Sequence, residues 1–136
     1  MTHDISEEEL KRLANFFARQ PYVRNSQPVE EARAARGKDV YHRVCNVCHT
    51  EEGRAAAYGE YPLLAGQSLD YLLNELDHIL SRKREVDSMK SGTLATVPRE
   101  QIVDAIHFFA GQRVSPDEVK SYVVEPTTAS RKNRRK

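Results

Sequence analysis

The chain has 136 residues, of which 39% are hydrophobic, and its 21 basic and 20 acidic side chains leave a formal net charge of +1. That length sets a bound of one small domain with extensions. The charge balance gives no bulk attraction to nucleic acid, and no apolar run is long enough to span a bilayer.

In chain order, Ser6 to Gln20 reads as a helix. Ser6 and Glu9 have capping-box spacing. Leu10, Leu13, Ala14 and Phe17 recur at helical period, and Pro21 stops the run. Tyr22 to Pro28 is a linker. A second helix is expected from Val29 or Glu30 to about Cys45, with Gly37, Val40, Tyr41 and Val44 on one side. A glycine inside a helix costs about 1 kcal/mol against alanine, so Gly37 predicts a close contact. Thr50 to Gly66 reads as loop, punctuated by Gly53, Gly59, Pro62 and Gly66. Ser68 is placed to cap a third helix ending near Leu80, with Leu69, Leu72, Leu73, Leu76, Ile79 and Leu80 at helical period. Ser81 to Val97 reads mostly as loop and carries Met89. Pro98 opens a last helix, Arg99 to about Gln112, with Ile102, Val103, Ile106 and Phe109 apolar. Ser115 to Glu118 marks a short helix or turn. Arg131 to Lys136 has five bases in six residues, the pattern of a disordered end.

One stretch carries chemistry. Cys45-Asn46-Val47-Cys48-His49 is C-x-x-C-H, the haem c attachment sequence. Two thiols at i and i+3 share one side of a helical turn, as the two vinyl groups on one porphyrin edge require. His49, directly after, is placed to reach under the iron as an axial ligand. A buried porphyrin would also supply apolar volume that a modestly hydrophobic chain lacks. Zinc is the first alternative, but a structural zinc site needs four ligands and these are the only cysteines. His3, His42, His78 and His107 are scattered without ligand spacing. A thioredoxin-like redox pair is the second alternative, and it needs a preceding strand and a sheet that the pattern does not offer.

The sixth ligand is sought among thioethers and imidazoles. Met89, forty residues after His49, sits in a polar stretch, Asp87-Ser88-Met89-Lys90-Ser91-Gly92, where a core role is out of place. A thioether ligand favours Fe(II). His78 and His107 are the rivals, and both fall in amphipathic helices where histidine reads as a boundary residue.

The chain also repeats itself. Ile5 to Gln20 aligns with Val97 to Gln112. The pairs Glu8/Glu100 and Phe-Phe-Ala-x-Gln match, as do the apolar positions.

With these motifs in hand, the chain resembles the class I c-type cytochromes, closest to the cytochrome c4 group, over about Gln27 to Arg113. Gly37-x-x-Val40-Tyr41 resembles the family's first helix, whose glycine packs on an aromatic of the last helix, here Phe108 or Phe109. Pro62-Leu63-Leu64-Ala65-Gly66-Gln67 resembles the family's P-x-L-x-G-Q segment. The resemblance implies that the Pro62 carbonyl accepts the second N–H of His49 and that Leu64 packs on the porphyrin. Arg82 to Arg84 resembles a basic stretch near a propionate. The implied fold class is all-α, a class I cytochrome c fold of three to five helices wrapped around one covalent haem c. The implied division is a leading helix and linker (1–26), a haem domain (27–113) and a C-terminal extension (114–136). In that family residues 5–20 resemble the closing helix of a preceding domain.

The implied function is one-electron transfer by a monohaem protein, not enzymatic catalysis. Redox proteins would be donor and acceptor, and Ala55 to Gly59 and Lys90 to Gly92 would rim the exposed haem edge. The alternative is a haem c subunit of a larger oxidoreductase complex. A third reading is a five-coordinate ligand-binding haem. The leading helix offers a face for a homodimer or for complex docking, and the basic tail one for peripheral membrane contact. The opening Met1-Thr2-His3-Asp4 is no export leader, and haem c is attached outside the bacterial cytoplasm. A periplasmic chain with its signal removed is therefore expected.

Overall fold

A computed structural model of the chain describes residues 5–20, 27–55 and 61–114. Among them the secondary structure is entirely helical: α1 (Glu7–Ala18), α2 (Glu31–Val40) running into a π turn (Tyr41–Cys45), a four-residue turn α3 (Thr50–Gly53), α4 (Leu69–Leu80), α5 (Ser88–Thr96) and α6 (Arg99–Gly111). The tail beyond Val114, its basic end and most of the expected Ala55–Gly59 rim lie outside the described residues.

The core is built on α6. Ile102 through Ala110 are all buried, so this helix presents apolar surface on several sides, as a central helix must. It packs most closely on α2. A Cβ added to Gly37 would stand 1.9 Å from the Asp104 carbonyl oxygen, so the two backbones touch there. The close contact expected at Gly37 is made first to the α6 backbone at Asp104 and Ala105. Phe108 and Phe109 pack on Tyr41, with ring centroids 5.4 and 5.7 Å away. Beside the contact, Asp104 is 7% exposed. Arg36 donates to it at 2.8 and 3.0 Å and Arg33 at 3.1 Å, pairing that a buried carboxylate needs. His107 is buried too, and its Nδ1 accepts the Glu30 N–H at 3.2 Å. The boundary-residue expectation is thus corrected: His107 caps the start of α2 from inside the core.

Local signals act where they were read. Ser68 accepts from Tyr71 N–H to cap α4, and Ser6 and Glu9 form the full capping box of α1. The Ser81–Val97 loop is overturned. Asp87 accepts from Lys90 N–H at 2.9 Å and starts α5, a nine-residue helix. Thr93 and Thr96 return their hydroxyls to the Met89 and Gly92 carbonyls. None of its residues is fully buried, which is why hydrophobic period did not reveal it. No helix among the described residues is long and apolar enough to cross a membrane.

Candidate cofactor site

The site begins where α2 changes pitch. The Asn46 N–H donates to the Tyr41 carbonyl at 3.0 Å, an i to i+5 bond that widens the helix into the π turn. Cys48 and His49 N–H groups then return to the Cys45 carbonyl at 3.3 and 2.9 Å. The motif is therefore one compact reversal. Cys45, Cys48 and His49 all line a single cavity of about 330 Å3.

The walls of that cavity are mostly apolar, with Val44, Leu72, Leu76, Ile106 and Phe109 and with Leu64 alongside, and Glu75 and Asp87 also reach it. They come from the π turn, α4, α6 and the 61–67 segment; helical period marks the helical ones as core but not as a cavity face, while the family resemblance places Leu64 on the porphyrin. Met89 and Lys90 from α5 also line it. Met89 is 63% exposed, so the thioether sits at the mouth and not among the core side chains.

His49 is held in one tautomer. Its Nδ1 lies 3.2 Å from the Pro62 carbonyl oxygen, and a carbonyl can only accept, so Nδ1 carries the proton and Nε2 is left with a lone pair. Burial, followed by the nearby Lys90 charge, pulls the imidazole below its ordinary pKa, while the Pro62 bond opposes this. The neutral form is the one that ligates a metal. Lys90 is in turn lowered by burial and by Arg84. Burial, with Cys48 adding to it, pushes the Cys45 thiol up to about 11. A thiol that stays protonated is poorly suited to thiolate redox chemistry. Both cysteines are free. Among the described residues no three His, Cys, Asp or Glu side chains gather as a metal-binding group, so the zinc alternative lacks its remaining ligands there.

The residues fit a haem c: two free thiols, a neutral imidazole with a free nitrogen, and a thioether open onto one apolar cavity. Other expectations are placed differently. His78 is exposed on α4, 3.6 Å from Glu75, and His107 is committed to Glu30, so neither rival imidazole faces the cavity. Arg84 is ion-paired with Glu75. Ala55, expected at the rim, is buried. Two groups escaped the sequence reading. The Tyr41 hydroxyl accepts the Glu52 N–H at 2.8 Å. The Gln27 side chain bridges the Gln67 carbonyl and the Leu69 N–H at 2.8 and 2.7 Å. Tyr41 was legible as a core position, but its hydroxyl has no sequence signature, and Gln27 had no signal at all.

Comparison with known proteins points the same way. The family model for cytochrome c matches residues 34–121. Cytochrome c4 of Pseudomonas aeruginosa is 36% identical over 72 residues, covering 53% of this chain and 35% of that protein. The chain therefore spans about a third of the length of that relative.

Proposed function

The chain belongs to the cytochrome c family, and from that membership we propose that it is a one-electron carrier. It would hold a single haem c through Cys45 and Cys48, with His49 and Met89 as the side chains that would bind its iron. The observation that carries this reading is the convergence of both thiols, the His49 imidazole and the Met89 thioether on one apolar cavity. When bound, haem c supplies an iron that takes up and releases one electron.

The chain's own residues do the rest. Pro62 fixes the His49 tautomer so that Nε2 keeps the lone pair that would bind iron, and an outer-shell bond of this kind raises ligand basicity. Met89 supplies a neutral, soft donor that favours Fe(II) and raises the potential. With His49 and Met89 both committed to the iron, the haem would offer no place for a substrate. Leu64 and the α4 and α6 side chains exclude water from the ring. Val47, exposed between the two cysteines, would mark the edge through which electrons pass to and from redox proteins. Gln27, tying the chain to the start of α4, supports a haem unit that begins there and runs to about 113. The periplasm is the compartment this chemistry fits.

A second reading, a haem subunit of a larger oxidoreductase, is favoured by one observation: Leu10, Leu13, Phe16 and Phe17 of α1 are exposed. Purification from native membranes and periplasm separates the two. A carrier elutes alone, and a subunit elutes with its enzyme.

Optical spectra test the ligands. The oxidised protein should show the weak red-end sulfur-to-iron band, and carbon monoxide should leave the reduced spectrum unchanged. Met89→Ala should lose the band and gain carbon monoxide binding. Carbon monoxide binding by the parent protein would sink His/Met ligation and favour the five-coordinate reading.

A further inference from the structure

Directly after His49 the backbone enters a conformation that needs a brace. Glu51 (φ 52°), Glu52 (φ 57°) and Gly53 (φ 86°) are consecutive left-handed residues. Two of them carry side chains whose Cβ crowds the following carbonyl there. Such a turn persists only where its surroundings over-determine it.

We propose that the Tyr41 hydroxyl is a positioning group for the proximal His49, acting through the left-handed turn and the Pro62 segment. The connection can be followed bond by bond. Tyr41 is buried, 4% exposed, with its ring against Phe108 and Phe109 at the start of the π turn that delivers Cys45. Its hydroxyl accepts the Glu52 N–H at 2.8 Å. The next residue, Gly53, offers its carbonyl to the Leu64 and Ala65 N–H groups at 3.0 and 3.1 Å. A Cβ on Gly53 would meet the Phe109 ring at 2.7 Å, so that ring closes the far side of the turn. Two residues before Leu64, the Pro62 carbonyl accepts Nδ1–H of His49. The Tyr41 hydroxyl thus anchors the turn to which the segment after Pro62 is bonded. Without the hydroxyl, the Glu52 N–H has lost its acceptor, the turn relaxes, and the Pro62 carbonyl is no longer held against His49.

The inference rests on His49 being the proximal ligand. Tyr41→Phe in the haem-loaded protein tests it, because the ring packing stays and only the hydroxyl goes. Exchange of the Glu52 amide is expected to speed at least about tenfold. The Nδ1–H bond weakens, the imidazole becomes a poorer donor to Fe(III), and the Fe(II)/Fe(III) ratio at fixed potential shifts several-fold toward Fe(II). A tenfold shift corresponds to about 59 mV for one electron. Glu52→Gly, which accepts the left-handed backbone without a Cβ, should bring the potential of the Tyr41→Phe protein back toward the parent value. If Tyr41→Phe lowers the unfolding midpoint but leaves the potential unmoved, Tyr41 is a packing residue and the proposal falls. It falls equally if neither Tyr41→Phe nor the double variant matures with haem. His49→Ala tests the underlying ligand separately. An unchanged haem spectrum there removes the proximal assignment itself. An altered one beside an unmoved Tyr41→Phe potential removes only the role of Tyr41.

Discussion

Helices α1 and α6 end on the same Phe-Phe-Ala-x-Gln, yet Phe17 is 68% exposed and Phe109 3%. The difference lies in what surrounds the shared motif. Between the common positions α6 has Val103, Asp104 and His107, and all three are buried. Asp104 is held by Arg33 and Arg36, and His107 by the Glu30 N–H. In α1 the aligned residues are Lys11, Arg12 and Asn15. Lys11 and Arg12 pair with Glu7 and Glu8 on the helix's own surface, at 2.6 and 2.5 Å. α6 also has a partner shaped for it, because Gly37 lets α2 approach to backbone contact. Repeated apolar positions set a helical face, and the partner decides whether that face becomes core.

The contrast can be broken at four points. Phe109→Ala should be the most damaging, because the ring touches Tyr41, His49 and Gly53. Denaturant unfolding of the haem-loaded protein should show a loss of about 3–5 kcal/mol, against no more than about 0.5 kcal/mol for Phe17→Ala on the exposed stripe. Gly37→Ala comes next. The new methyl has only backbone to displace, so α2 and α6 must separate, at about 1–3 kcal/mol. Ala14→Gly in α1 should cost about 1 kcal/mol of local helix stability and nothing in the haem domain, as amide exchange would show.

Acid sharpens the same comparison. The hydrogen bond from Arg36, with the Arg33 charge adding to it, holds the Asp104 carboxyl below its ordinary range. Its folded value lies below the unfolded one of about 3.9, so this contribution is complete above that pH and fades as the pH falls through the folded value. Asp104→Asn should flatten the acid limb of the stability curve below about pH 4, measured by unfolding midpoints across pH. An unchanged acid limb would place the acid-sensitive group elsewhere. The smallest effect is expected from Ser6→Ala. Removing the capping serine should cost α1 about 1 kcal/mol, read as faster amide exchange in Glu7–Leu10 while the main unfolding transition stays in place.

How far the site could be read in advance varied with the kind of signal. Cys45, Cys48 and His49 are adjacent in sequence, so their chemistry is local and the motif displays it. Ser6 and Ser68 are caps, whose partners lie three residues away. Met89 stands out in the sequence as an unusual thioether, but its polar surroundings read as loop. α5 is built from an Asp87 cap and threonine back-bonds rather than an apolar stripe, and periodicity is blind to that. His107 looked like a boundary residue because its acceptor role needs Glu30, 77 positions away. The Arg82–Arg84 stretch was legible as basic, but the turn at its start folds Arg84 back onto Glu75.

The sequence by itself determined the cofactor chemistry and the helical class, because the attachment motif, the caps and the 3.6-residue periods act over a few neighbouring residues. Tertiary structure alone decided which of two like-ended helices becomes the centre of the core. It also decided which hydroxyl braces the turn behind His49. Those outcomes depend on groups brought together by packing, where a missing Cβ at Gly37 or an extra hydroxyl on Tyr41 matters only once the facing surface is in place.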